Sequence, residues 1–212
     1  MVKLVKNKND VAVKNKNDVA VKNKNDVAAK DENHVAVKVE NVVASTSLGM
    51  KFDLGLITEG LDKVEYEPEQ FPGLVYHLDK PKAAALIFGS GKIVCTGAKS
   101  IADATLAIER IVEKIKGTGI DITTKPEVIV QNVVATANLE TDLNLDAIAI
   151  GLDNTEYEPE QFPGLVYRMK EPKVVLLLFG SGKIVCTGAK SVADAEQAAK
   201  NAKIKLKELG LF

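Results

Sequence analysis

The chain has 212 residues, 46% of them hydrophobic and 27% charged, with 28 basic against 29 acidic side chains. That length suits one domain of moderate size or two small ones, and no apolar run approaches the roughly 20 residues of a membrane span. With two cysteines and two histidines, the sequence offers no zinc spacing, no Ser–His–Asp set and no redox pair.

Charge is unevenly spread. Residues 1–38 hold nine lysines against five acids, which leaves 19 basic and 24 acidic residues in the rest. The folded part is acidic, so any nucleic-acid reading must rest on where the basic groups sit. From residue 5 the leader reads VKNKNDVA three times and then AKDENHVA, a period of eight that fits neither helix nor strand. With so little apolar surface to offset about 1 to 2 kcal/mol of backbone entropy per residue, this leader is expected to be disordered, or else a basic arm along DNA phosphates. It also lacks the apolar core of a secretory signal, which points to an intracellular protein.

After the leader, residues 65–100 return at 156–191 with a constant offset of 91 and no gap. The division predicted is therefore a leader at 1–38, a first repeat at 39–128 and a second at 129–212. Each repeat opens on an apolar strand, 39–46 or 129–136. A short helix follows, 54–61 or 145–152. Turn signals at Pro68, Pro72-Gly73, Lys80-Pro81 and Gly89-Ser90-Gly91, with their copies, then punctuate four short strands. The long helices begin at Ser100 and Ser191, each with an aspartate three residues on as a capping partner. In the first, Ile101, Ile108, Ile111, Val112 and Ile115 form one stripe, and Gly117 is the expected stop. The fold class is α+β, two pseudo-symmetric repeats giving ten mostly antiparallel strands and four helices.

A period of two through 83–88 and 92–96 puts Leu86, Phe88, Val94 and Thr96 on one face and Ala85, Ile87, Ile93 and Cys95 on the other. Leu177, Phe179, Val185 and Thr187 repeat the first set. Both faces are apolar, yet two helices per repeat cover only one side. The other should bind something, or pair with a second copy or the other repeat. Phe71 and Phe88 each precede a turn, as do Phe162 and Phe179. Four of the six phenylalanines thus stand at symmetric sites, either as wedges between bases or as plugs at the ends of the core. A twofold-repeated chain suits a target that is itself nearly twofold symmetric, such as duplex DNA.

The segments QNVVAT and ENVVAS, EYEPEQFPGLVYR and LLFGSGKIVCTGAK resemble the core of the TATA-box-binding protein family, archaeal type, over 39–212. The resemblance implies a curved ten-stranded saddle with four helices on its convex side, gripping the DNA minor groove from below. The family's kink of about 80° is carried over with the resemblance. By position, Phe71 with Phe88 and Phe162 with Phe179 match the intercalating pairs. Asn41 and Asn132, assisted by Thr96 and Thr187, match the central base contacts, and Val43, Val134, Val94, Val185, Leu86 and Leu177 the apolar floor. Ser90, Lys92, Lys99, Arg168, Ser181, Lys183 and Lys190 match the phosphate contacts, although His77 stands where the second repeat has Arg168. Glu156, Glu158 and Glu160 match the stirrup that docks transcription factor B. The implied partners are TATA promoter DNA, transcription factor B and, indirectly, RNA polymerase, with a homodimer when free. No cofactor or metal is implied, and the implied location is the cytoplasm, at the nucleoid.

Two rival classes remain. GSGK invites a phosphate-loop enzyme, but that pattern needs Gly at position 86, which is Leu, and Ser or Thr at 93, which is Ile. The other rival is a protein-interaction scaffold whose exposed apolar face is a dimer seam.

Overall fold

A computed structural model describes residues 32–212; the readings made for the octapeptide repeats before them lie outside that range. The described chain runs β1 (Val37–Ser47), α1 (Leu54–Gly60), β2 (Val64–Glu65), β3 (Gly73–Leu78), β4 (Ala83–Phe88), β5 (Lys92–Ala98) and α2 (Ile101–Gly117), then β6 (Ile129–Asn138), α3 (Leu145–Gly151), β7 (Thr155–Glu156), β8 (Gly164–Met169), β9 (Val174–Phe179), β10 (Lys183–Ala189) and α4 (Val192–Glu208). All ten strands join one antiparallel sheet in the order β2-β3-β4-β5-β1-β6-β10-β9-β8-β7. The arrangement α+β, ten strands and four helices is the one expected. β1 starts two residues before the expected 39, because Val35 and Val37 pack against the second repeat's core.

The two copies meet at β1 and β6. Val42 pairs with Val133, its own counterpart, so the pseudo-twofold axis passes between them; Asn41 pairs with Val134 and Val43 with Asn132. Register shifts in both central strands let each bend away from its partner.

Helix formation follows from caps and stripes. Ser100 Oγ accepts from Asp103 N (3.0 Å), and Ser191 with Asp194 forms a full capping box. Asp53 and Asn144 cap the two short helices through Gly55, Leu56 and Ala147 backbone N–H groups. α2 buries Ala104, Ala107, Ile108, Ile111, Val112 and Ile115, while Ile101, at its first turn, is only half-buried. α4 buries a stripe of alanines with Leu206. Gly117 is helical and does not stop α2. The left-handed residue is Gly119, φ +94°, whose N–H donates to the Lys116 carbonyl (3.0 Å). Two helices cover each half of the sheet on the same side, enclosing one core per repeat, and Val39 and Val130 adjoin both.

Alternation is strict in β4 and β9, with Ala83, Ala85 and Ile87 buried under the helices and Ala84, Leu86 and Phe88 only half-buried on the other side. The repeats do not close into a sandwich; within residues 32–212 the second face of the sheet has no covering layer.

The GSGK segment is a hairpin turn. Gly91 has φ +81° and donates to the Phe88 carbonyl (2.9 Å), after which β5 continues as strand, so no phosphate-loop helix begins there. Cys95 and Cys186 are free thiols on the buried face, pushed up to about 11 by burial, with Asp194 adding to the effect at Cys186. Among the described residues no helix is long and apolar enough to cross a membrane, and no cluster of metal-ligating side chains occurs.

Gly182 has φ +77°, and a Cβ there would overlap the Thr141 carbonyl oxygen. Gly182→Ala combines a strained left-handed backbone with that overlap and is expected to cost at least about 2 kcal/mol. Urea unfolding should show a lowered midpoint with an unchanged slope.

Candidate nucleic-acid interface

The uncovered face is organised around the quartet Asn41, Val134, Val43 and Asn132, two cross-strand pairs flanking the axis. All four are half-buried. Each asparagine is held the same way. Asn41 Oδ1 accepts from Gly97 N–H (2.7 Å) and Nδ2 donates to Thr96 Oγ1 (3.1 Å). Asn132 repeats this with Gly188 N–H (2.7 Å) and Thr187 Oγ1 (3.2 Å). Gly97 and Gly188, φ +92° and +91°, supply those N–H groups from left-handed positions where the β1–β5 and β6–β10 registers shift. These bonds occupy the amide oxygen and one of the two Nδ2 hydrogens, so each half-buried asparagine keeps a second N–H to donate.

Around this centre lie the half-buried side chains of Leu86, Val94, Leu177 and Val185. The register adds residues that sequence reasoning did not single out. Val75 lies opposite Leu86 and Val166 opposite Leu177, and Ala84 and Val175 lie opposite Thr96 and Thr187. The result is an apolar strip whose middle carries the hydrogen-bonding groups of Asn41, Asn132, Thr96 and Thr187.

At each end the rings come together. Phe71 and Phe88 lie edge-to-face with centroids 5.8 Å apart, and Phe162 and Phe179 at 5.9 Å. Phe71 and Phe162 remain 37% and 38% exposed, so the rings do not plug the core.

The cationic candidates surround the strip. Ser90 and Lys92 sit on the hairpin beside Phe88, Ser181 and Lys183 on that beside Phe179, and all are exposed. Lys99 shares a depression with Asn41, His77 and Thr96, and Lys190 shares the matching one with Arg168 and Gly188. Arg168 grips Glu156 through two hydrogen bonds of 3.2 Å, which raises the guanidinium and holds the carboxyl below its usual range. Glu156 is thus tied to the arginine at the sheet end, whereas Glu160 is exposed and Glu158 accepts from Gln161 within the stirrup turn. In the first repeat, His77 Nε2 lies 3.6 Å from Glu65.

Comparison with known proteins matches this geometry to a family. The family described as transcription factor TFIID, or TATA-binding protein, matches at residues 36–118 and again at 127–209. The chain is 59% identical over 170 residues to the TATA-box-binding protein of Methanothermobacter thermautotrophicus, covering 80% of this chain and 94% of that one. It is 56% identical over 172 residues to the TATA-box-binding protein of Archaeoglobus fulgidus, with the same coverage. Among solved structures, Methanococcus jannaschii TBP superposes with a TM-score of 0.76 at 55% identity, over 81% of this chain and 98% of that one.

The ring pairs depend on the glycines opposite them. Gly73 pairs with Phe88 and Gly164 with Phe179. A Cβ on Gly164 would meet Phe162 Cε1 at 2.7 Å and Phe179 Cε1 at 3.0 Å. Gly164→Ala is expected to part the rings while costing only about 1 kcal/mol, the worth of an aromatic pair, because the exposed ring is free to move. Loss of the Phe162–Phe179 cross-peak in an aromatic NMR spectrum, with little change in melting temperature, is the expected result.

Proposed function

The chain belongs to the TATA-binding protein family of transcription factors, and on that footing we propose that it is a general transcription factor whose free sheet face binds the minor groove of A·T-rich promoter DNA. The observation that carries this reading is the uncovered apolar strip with the two asparagine amides at its centre and a ring pair at each end. The minor groove of an A·T pair offers only the acceptors N3 and O2, and guanine adds a protruding amino donor. A floor of Val and Leu excludes that amino group, while Asn41 and Asn132 donate to the acceptors. Phe71 with Phe88, and Phe162 with Phe179, wedge between base steps and kink the duplex at each end, with deformable TA steps lowering the cost. Ser90, Lys92, Lys99, Arg168, Ser181, Lys183 and Lys190 hold the backbone, each neutralised phosphate adding about 0.9 to the salt slope.

No chemistry is assigned to the chain; the family is one of transcription factors, not enzymes. The functional division is a leader at 1–38 and repeats at 39–128 and 129–212. Transcription factor B docks on the second stirrup at Glu156, Glu158 and Glu160 and brings in RNA polymerase, and the site is that of a nucleoid protein. Because Glu156 is engaged with Arg168, this docking uses the pair as a unit or exchanges one partner for another. The second reading, a dimer seam on the free face, is favoured by the same exposed apolar strip; in the proposal it describes the protein off DNA.

A gel shift separates the two readings. A TATA duplex should be retarded and a G·C-only duplex should not, and a probe left unmoved would favour the seam. Replacing Phe162 and Phe179 by alanine should weaken binding by about ten- to a hundredfold, the loss of roughly one stacked base. The same variant should lengthen the end-to-end distance in fluorescence transfer, with near-normal thermal unfolding. Asn132→Ala should lower discrimination of TATA over G·C-containing sites by about 1 to 3 kcal/mol, read from paired titrations.

A further inference from the structure

Among the matched positions at which the two halves of the free face differ, one beside the axis changes a charge. Glu40 in β1 corresponds to Gln131 in β6, 91 residues on. Each bonds a hydroxyl of the opposite central strand: Thr136 Oγ1 donates to Glu40 Oε1 (3.1 Å) and Gln131 Nε2 to Ser45 Oγ (2.9 Å). The amide and the carboxylate treat their neighbouring lysines differently. Lys38 Nζ lies 2.9 Å from Glu40 Oε1, and Lys99 Nζ lies 3.9 Å from Oε2. Lys190, the counterpart of Lys99, instead donates to the Gln131 backbone carbonyl (2.6 Å), an uncharged partner. The contrast is confined to the lysines nearest the axis: farther out each half has its own carboxylate pair, Asp79 with Lys63 in the first repeat and Glu156 with Arg168 in the second.

Resting on the DNA-binding reading, we infer that Glu40 is an internal stand-in for a DNA phosphate that makes the first repeat the weaker half of the grip. To reach a phosphate, Lys99 must leave Glu40, whose carboxylate, still paired with Lys38 and bonded to Thr136, then stands beside the polyanion. Lys190 gives up only a carbonyl. A lysine already neutralised by Glu40 releases less of the DNA counterion atmosphere on binding, so the first repeat contributes less to affinity and to salt dependence. The Lys38 ammonium, the Thr136 hydroxyl and, more weakly, Lys99 hold the Glu40 carboxyl below its usual range, so the charge is present at neutral pH.

The test is a set of cycles on the full chain, titrating a fluorescent TATA duplex over a salt series. In the wild type, Lys190→Ala should weaken binding about tenfold and Lys99→Ala only about twofold. In Glu40→Gln, which installs the second repeat's residue, binding should tighten about threefold, the salt slope should steepen by about one, and Lys99→Ala should now cost as much as Lys190→Ala. Exchanging the two residues, Glu40→Gln with Gln131→Glu, should return affinity to near wild type and make Lys190 the cheaper lysine to lose. Equal costs for the two lysines in the wild type, or a Lys99→Ala cost that Glu40→Gln leaves unchanged, would overturn the inference while leaving DNA binding intact. A wild-type chain that leaves the duplex unbound would overturn both.

Discussion

The antiparallel ladder between β1 and β6 is the joint on which everything else depends. It pairs each central strand with its own copy, Val42 against Val133, and so fuses two five-stranded sheets into one with a pseudo-twofold axis at its centre. Without it, each repeat would expose a long open edge, a template for unwanted pairing. With it, the remaining edges are β2 and β7, two residues each. The same ladder sets Asn41 and Asn132 diagonally about the axis, so the polar part of the free face is central because the joint is.

Two opposed demands act on every strand beside that joint. One side must fill the space under the helices, which Ile87, Ile93, Leu178 and Ile184 do by complete burial. The other must stay apolar without being filled, which is costly in water and tolerable only where a partner takes it up. Glycine reconciles the two where they collide. Gly97 and Gly188 turn a backbone N–H toward an asparagine oxygen, and Gly73 and Gly164 leave room for two rings side by side. The helices differ in how they meet the sheet, α2 with isoleucine and α4 with alanine, yet the free face beneath them is nearly the same in both copies.

Much of this was legible in the sequence, and the limits have a physical origin. Alternation in 83–88 and 92–96 assigned each residue to its face because side chains in a strand switch sides strictly. The duplication carried that assignment to the second copy, and the Ser–Asp spacing marked the long helices. Local rules failed where two glycines compete: Gly117 and Gly119 are both plausible stops, and Thr118 at the cap decides for the latter. They were also silent on what one strand does to another. The pairing of Glu156 with Arg168, the clustering of Lys38 and Lys99 at Glu40, and the membership of Val75 and Val166 in the free face all depend on register across the sheet. Pro72-Gly73 signals a turn; the glycine's second role, clearing space for Phe88, belongs to a strand fifteen residues away.

That last arrangement constrains how the gene can drift. Phe71, Gly73 and Phe88 fit only as a trio, since a side chain on the glycine evicts a ring and the loss of a ring leaves the glycine an unfilled notch. The duplicate trio offers no redundancy, because it stands at the opposite extremity of the sheet. Doubling the unit therefore gave two separate fits and no spare, since a change that spoils one trio is not made good by the other.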